Sequence, residues 1–127
     1  MSQKKILIIE DSVTLADSLE DMLTFKGYEA IKATNGKQGF TLATLEKPDL
    51  ILLDLKLPDI DGYDVLRKLR ADDWGKTARI LILTASEMSE TVPADIKINP
   101  SDILHKTQWG IENLATRIES ELYDNQS

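Results

Sequence analysis

Residues Leu50 to Gly62 read Leu-Ile-Leu-Leu-Asp-Leu-Lys-Leu-Pro-Asp-Ile-Asp-Gly. The opening run, Leu50–Leu53, is short and has no polar alternate, so it predicts a strand buried on both faces, hence a central strand of a parallel sheet. Asp54 follows it directly. The loop Leu55–Asp61 then leads to a predicted helix at about Gly62–Ala71, with Val65, Leu66 and Leu69 inward. The same pattern recurs on either side. Glu10 and Asp11 follow ILII at residues 6–9, Thr84 follows ILIL at residues 80–83, and Lys106 closes the shorter DILHK at residues 102–106. In an open α/β sheet, ligands bind beyond the carboxyl ends of the strands. Four strands therefore aim three carboxylates, a hydroxyl and an ammonium at one edge. That set suits a divalent cation and a phosphoryl group.

Working outward, residues 5–9 predict the first strand. Asp11 or Ser12 then caps a helix reaching about Lys26, with Leu15, Leu19, Met22 and Leu23 at helical spacing and Gly27 ending it. Tyr28–Ala33 alternates and predicts an edge strand. Asn35-Gly36 opens a helix through Leu45, with Phe40, Ala43 and Leu45 near one face, and Lys47-Pro48 breaks it. Asp73–Thr77 is loop, Ile80–Leu83 the fourth strand and residues 102–105 the fifth. A last helix spans about Gly110–Tyr123 on the stripe Ile111, Leu114, Ile118 and Leu122. Strand–helix alternation five times over predicts an α/β fold, a single-domain doubly wound five-stranded parallel sheet. The edge character of the second strand selects the order 2-1-3-4-5, the flavodoxin-like class. Between Glu87 and Asp102 the pattern falters. Pro93 and Pro100 interrupt the expected fourth helix, and Ala94–Asn99 alternates at period two. A proline inside a helix costs about 3 kcal/mol, so that helix is expected to be short or irregular, opening at Pro93.

Bulk properties narrow the function. A chain of 127 residues, 42% of them hydrophobic, supplies one core. A net charge of −7 argues against binding nucleic acid, which needs clustered Lys and Arg. The absence of cysteine excludes thiol and zinc-thiolate chemistry. The apolar run near the N-terminus is too short for a signal peptide or a membrane span, so a soluble, cytoplasmic protein is expected. Taken singly, Asp11 reads as a helix cap, Thr84 as a strand end and Lys106 as a solvated charge. Coincidence at five converging positions is a poor explanation. Asp61 reads as a turn or cap residue, His105 as a packing or solvent-facing side chain, and Trp74 and Trp109 as surface or packing residues. Arg67, Lys68 and Arg70 read as a solvated helix face.

The acidic pair Glu10-Asp11, Asp54 in LILLDLKLPDIDG, Thr84-Ala85 and Lys106 together resemble response-regulator receiver domains, over about residues 4–123. Thr84 stands 30 positions beyond Asp54 and Lys106 22 positions beyond Thr84, spacings that agree with that family. The resemblance implies a phosphorylation-controlled signalling switch rather than an enzyme, with at most Mg²⁺-dependent self-phosphorylation and self-dephosphorylation. By the same resemblance Asp54 accepts the phosphoryl group. Glu10, Asp11, Asp54 and the main-chain carbonyl of Lys56 hold Mg²⁺. Lys106 pairs with Asp54 and then with a phosphoryl oxygen, Thr84 donates its hydroxyl, and Ala85 leaves access. The implied partners are a histidine kinase or histidine phosphotransfer protein, and a downstream protein at the face built from the fourth helix, fifth strand and last helix. A monomer or weak dimer is expected, with the receiver unit over residues 1–123 and a polar tail at 124–127. No further domain follows Tyr123 in this chain, so it is either free-standing or part of a longer protein.

Three departures from the family fall on that output face. Thr107 stands where proline with a cis bond is usual, Ile103 where an aromatic switch residue is usual, and Asn99-Pro100 where Gly-Ala is usual. A cis bond before a non-proline residue costs about 3–4 kcal/mol, so the Lys106–Thr107 link is expected to be either trans and reshaped or strained. An interaction module that keeps the fold without being phosphorylated is the alternative reading. A true aspartyl phosphotransferase is disfavoured, because Asp54-Leu55-Lys56 lacks a second carboxylate two positions on.

Overall fold

The computed structural model describes residues 3–85, 92–106 and 108–123. In chain order these form β1 (Lys5–Ile9), α1 (Val13–Phe25), β2 (Glu29–Ala33), α2 (Gly36–Glu46), β3 (Leu50–Leu53), α3 (Gly62–Ala71), β4 (Ile80–Thr84), β5 (Ile103–His105) and α4 (Ile111–Tyr123). All strands pair in parallel, in the order β2-β1-β3-β4-β5, as the apolar runs predict.

Strand parity splits the core into two layers. Ile6, Ile8, Leu50, Leu52, Leu81, Leu83 and Leu104 meet Leu19 and Leu23 of α1 and Leu114, Ile118 and Leu122 of α4. Leu7, Ile9, Ile51, Leu53, Ile80 and Ile82 meet Ala43 of α2 and Val65, Leu66 and Leu69 of α3. The sheet is thus covered on both faces, and β1, β3 and β4 need no polar alternation.

The helix ends follow local chemistry. Ser12, Asn35 and Asp61 each accept a backbone N–H of their own first turn. Gly27, at φ +95°, releases the chain from α1 toward β2. In α2 the buried residues are Gly36, Gly39 and Ala43; of the expected face, Ala43 is buried and Phe40 packs on the second layer, but Leu45 does not join them. Leu45 is 71% exposed, because two residues beyond Ala43 is roughly 200° around a helix. The basic face of α3 is solvated at Lys68, as expected, but its two arginines also make specific contacts. Arg67 clasps both Asp95 carboxylate oxygens, at 2.6 and 3.0 Å. Arg70 donates to the Gly75 and Ala78 carbonyls, each at 2.7 Å, and Lys68 sits 5.6 Å from the Phe40 ring centre.

The helix expected to open at Pro93 is not formed in residues 92–99. A single turn closes there instead, with the Ile96 N–H donating to the Pro93 carbonyl at 2.9 Å. Ile96 and Ile98 both pack on the second core layer. An extended chain allows that spacing, whereas a helix would turn the two residues to opposite sides. Residues 86–91, where the rest of the expected helix falls, lie outside the described residues, as do Thr107 and the tail 124–127.

Candidate functional site

β1 and β3 are neighbours with Ile9 opposite Leu53, so Glu10 and Asp54 leave the sheet side by side. Backbone bonds extend the ladder past the strand ends. The Asp54 N–H donates to the Ile9 carbonyl at 3.0 Å, the Glu10 N–H to Ala33 at 3.0 Å, and the Lys106 N–H to Thr84 at 2.7 Å. By parity, Glu10 continues Ile6 and Ile8, Asp54 continues Leu50 and Leu52, and Lys106 continues Leu104, all on the layer under α1 and α4. Thr84 continues Ile80 and Ile82 on the other layer. Three of the five site positions therefore converge from one side, and Thr84 flanks them at the same edge.

The Lys106 Nζ lies 2.8 Å from Glu10 Oε1 and 3.3 Å from Asp54 Oδ2. The expected pair with Asp54 is present, but the shorter contact is to Glu10. Two long side chains, one from each end, bridge the gap between β1 and β5. Glu10 is 2% exposed, Asp54 4% and Thr84 2%, whereas Asp11 is exposed. Carboxylate oxygens of Glu10, Asp11 and Asp54 lie within 4.8 Å of one another. Glu10 Oε2 also accepts the Ser12 N–H at 3.1 Å, and Asp54 Oδ1 accepts the Lys56 N–H at 3.2 Å.

The electrostatics follow from this crowding. Burial pushes the Glu10 carboxyl above its ordinary value; Lys106 and the Ser12 N–H oppose the rise, and the Asp54 charge adds to it. Burial works against the Lys106 ammonium too, but contact with Glu10 and the charge of Asp54 hold its pKa above the ordinary value. Three carboxylates facing one ammonium carry surplus negative charge, which a divalent cation offsets. The donors are all hard oxygens, the set that suits Mg²⁺ rather than a thiophilic metal.

The loop after Asp54 is closed on itself. The Gly62 N–H donates to the Leu55 carbonyl at 2.9 Å. A Cβ at Gly62 would stand 2.5 Å from Leu55 Cα and 2.6 Å from the Asp54 carbonyl oxygen, so only glycine fits. Asp61 caps α3 through the Tyr63 N–H at 2.7 Å, as its sequence context predicts. Asp59 does something the sequence did not announce. Its two oxygens accept the N–H groups of Gly36, at 2.7 Å, and Lys37, at 2.9 Å, at the start of α2. His105 is a half-buried β5 residue, Trp109 packs on the first core layer and Trp74 on the second. The Lys106–Thr107 bond lies outside the described residues.

The family model described as the response regulator receiver domain matches residues 6–119. Among curated proteins, sporulation initiation phosphotransferase F of Bacillus subtilis is 36% identical over 85 residues, 67% of either chain. A probable transcriptional regulatory protein of Salmonella typhimurium, SilR, is 37% identical over 87% of this chain but 48% of its own length. The chain thus spans about half the length of such regulators. Among solved structures, the receiver domain of a Pseudomonas aeruginosa sensor histidine kinase superposes with a TM-score of 0.80 at 25% identity, covering 95% of this chain and 98% of that one. That structure holds a magnesium ion coordinated in its active-site cleft. On the family match and these relatives, the chain belongs to the response regulator receiver domains.

Proposed function

We propose that this chain is a phosphorylation-controlled switch in which Asp54 accepts a phosphoryl group from a histidine kinase or histidine phosphotransfer protein, with Mg²⁺ bound. The observation that carries this reading is the meeting of Glu10, Asp11 and Asp54 oxygens within 4.8 Å, with Lys106 against two of them. Glu10, Asp11, Asp54 and the Lys56 carbonyl would hold the cation. The magnesium ion seen in the Pseudomonas relative supports that assignment. When bound, it supplies neutralising charge to carboxylates and phosphoryl oxygens.

The chain's own residues do the rest. An Asp54 carboxylate oxygen forms the new bond to phosphorus while the donor's phosphorus–nitrogen bond breaks, and its electron pair leaves with the donor imidazole. Lys106 meets a phosphoryl oxygen as a compact point charge. The Thr84 hydroxyl donates to the phosphoryl group, and Ala85 keeps the approach open. The reading brings with it a cytoplasmic location and the span 1–123 as the working unit. It also brings a downstream partner at the face made by residues 92–99, β5 and α4. One feature favours the interaction module without phosphorylation: Ile103 packs on the second core layer and offers no ring to report on Thr84. Incubation with a small phosphodonor, with and without Mg²⁺, decides. A switch retains a stable label that needs Mg²⁺, an interaction module takes none, and an enzyme turns the donor over.

A further inference from the structure

The loop that carries Asp54 and Lys56 is pinned at both ends by itself. Gly62 closes onto Leu55, and Asp61 starts α3. Its tip is pinned by a different element. Asp59 takes two N–H groups of the first turn of α2, one on each carboxylate oxygen. Beside this bond, Ile60 lies directly against Gly36. A Cβ there would stand 2.5 Å from Ile60 Cγ1 and 2.9 Å from Val65 Cγ2. The start of α2 and the loop tip therefore meet closely at Gly36, beside the two bonds that Asp59 accepts.

We infer that Asp59 is a positioning residue for the cation site: by holding the loop tip to α2, it fixes the Lys56 segment relative to Asp54. The inference rests on the proposed Mg²⁺ site. Among the described residues Asp59 bonds backbone N–H groups of α2, and acts through the loop. Two residues, Leu57 and Pro58, separate it from Lys56, so freedom at the tip becomes freedom at the backbone beside Asp54. Residues that orient metal ligands from behind typically change affinity by about 10–100-fold when removed. Geometry and charge are separable by substitution. Asp59→Asn removes the charge and keeps one acceptor oxygen of the right length, so it can hold one of the two N–H groups and turns an amide donor toward the other. Asp59→Glu keeps the charge and displaces the oxygens by one methylene. Asn35→Ala removes a cap of the same helix, the 2.8 Å bond to the Gln38 N–H, without touching the loop.

The test is Mg²⁺ titration by calorimetry on the full chain and these variants, at an ionic strength that screens distant charges, with thermal melts in chelator alongside. The expected result is that Asp59→Ala and Asp59→Glu bind Mg²⁺ roughly tenfold more weakly. Asp59→Asn, which keeps one of the two bonds, falls between Asp59→Ala and wild type, and Asn35→Ala melts earlier but binds Mg²⁺ unchanged. If Asp59→Ala does not fold, the Asn and Glu variants decide. Normal binding by Asp59→Glu, which keeps the charge and moves the oxygens, assigns the effect to charge and overturns the inference, as does unchanged binding in all three. Absence of Mg²⁺ binding in the wild type overturns the proposed cation site itself, a separate outcome.

Discussion

Asp11 differs from its two neighbours in being exposed, while Glu10 and Asp54 are buried. Its negative charge adds repulsion to the cluster without shaping the core. Removal should therefore separate metal binding from folding. Asp11→Ala is expected to weaken Mg²⁺ binding by about tenfold or more and to leave the melting temperature in chelator unchanged or higher; calorimetry and thermal melts report the two. A variant that melts earlier and binds Mg²⁺ normally would make Asp11 a structural residue. At this scale the site was legible, because each of Glu10, Asp54, Thr84 and Lys106 sits at the end of an apolar run. The preference of Lys106 for Glu10 was not, because it depends on strand spacing across β3 and β4. The role of Asp59 was hidden for a related reason: its partners Gly36 and Lys37 lie 23 and 22 residues away.

Beside the strand ends that carry the site lie the β3–α3 loop and the start of α2, joined through Asp59. Gly62→Ala places a methyl group within 2.6 Å of the Asp54 carbonyl oxygen and closer to Leu55. It should cost about 1–3 kcal/mol, as overpacking against backbone does, and slow phosphoryl labelling; denaturant unfolding and a labelling time course measure both. Asp59 gives the pH dependence. Desolvation pushes its carboxyl up, but the N–H groups of Lys37, Gly36, Ile60 and Asp59 itself outweigh that and hold it below the ordinary value. The folded state therefore binds this proton less readily than the unfolded chain. Its stabilising effect is present above the ordinary aspartate pKa and is lost as pH falls through the folded value. Acid melts of wild type should fall more steeply through that window than those of Asp59→Asn; parallel curves would remove Asp59 as a source of acid sensitivity. Element types and bounds were readable from apolar runs, caps and glycine stops. The facing of α2 was not, since its buried side is made of glycine and alanine, which carry little hydrophobic signal.

On the scale of the molecule, the order β2-β1-β3-β4-β5 puts β1, β3 and β4 inside the sheet and β2 and β5 at its edges. The order was legible because β2 alone alternates. The shape of the fourth crossover was legible only as an interruption by Pro93 and Pro100, since Arg67 of α3 and the second core layer, not local propensity, hold residues 95–98. With a phosphoryl mimic at Asp54, hydrogen exchange should change in residues 92–99 and leave β1 and β3 as protected as before; a response confined to β1 and β3 would contradict the assignment of the output face. The central claim is that Asp54 takes up a phosphoryl group in a Mg²⁺-dependent site. Intact-mass measurement of wild type and Asp54→Asn incubated with a small phosphodonor, in Mg²⁺ and in chelator, tests it most directly. The expected result is one added phosphoryl group on the wild type in Mg²⁺, little in chelator, and none on Asp54→Asn. Equal labelling of wild type and Asp54→Asn, or no labelling of the wild type in Mg²⁺, would contradict it.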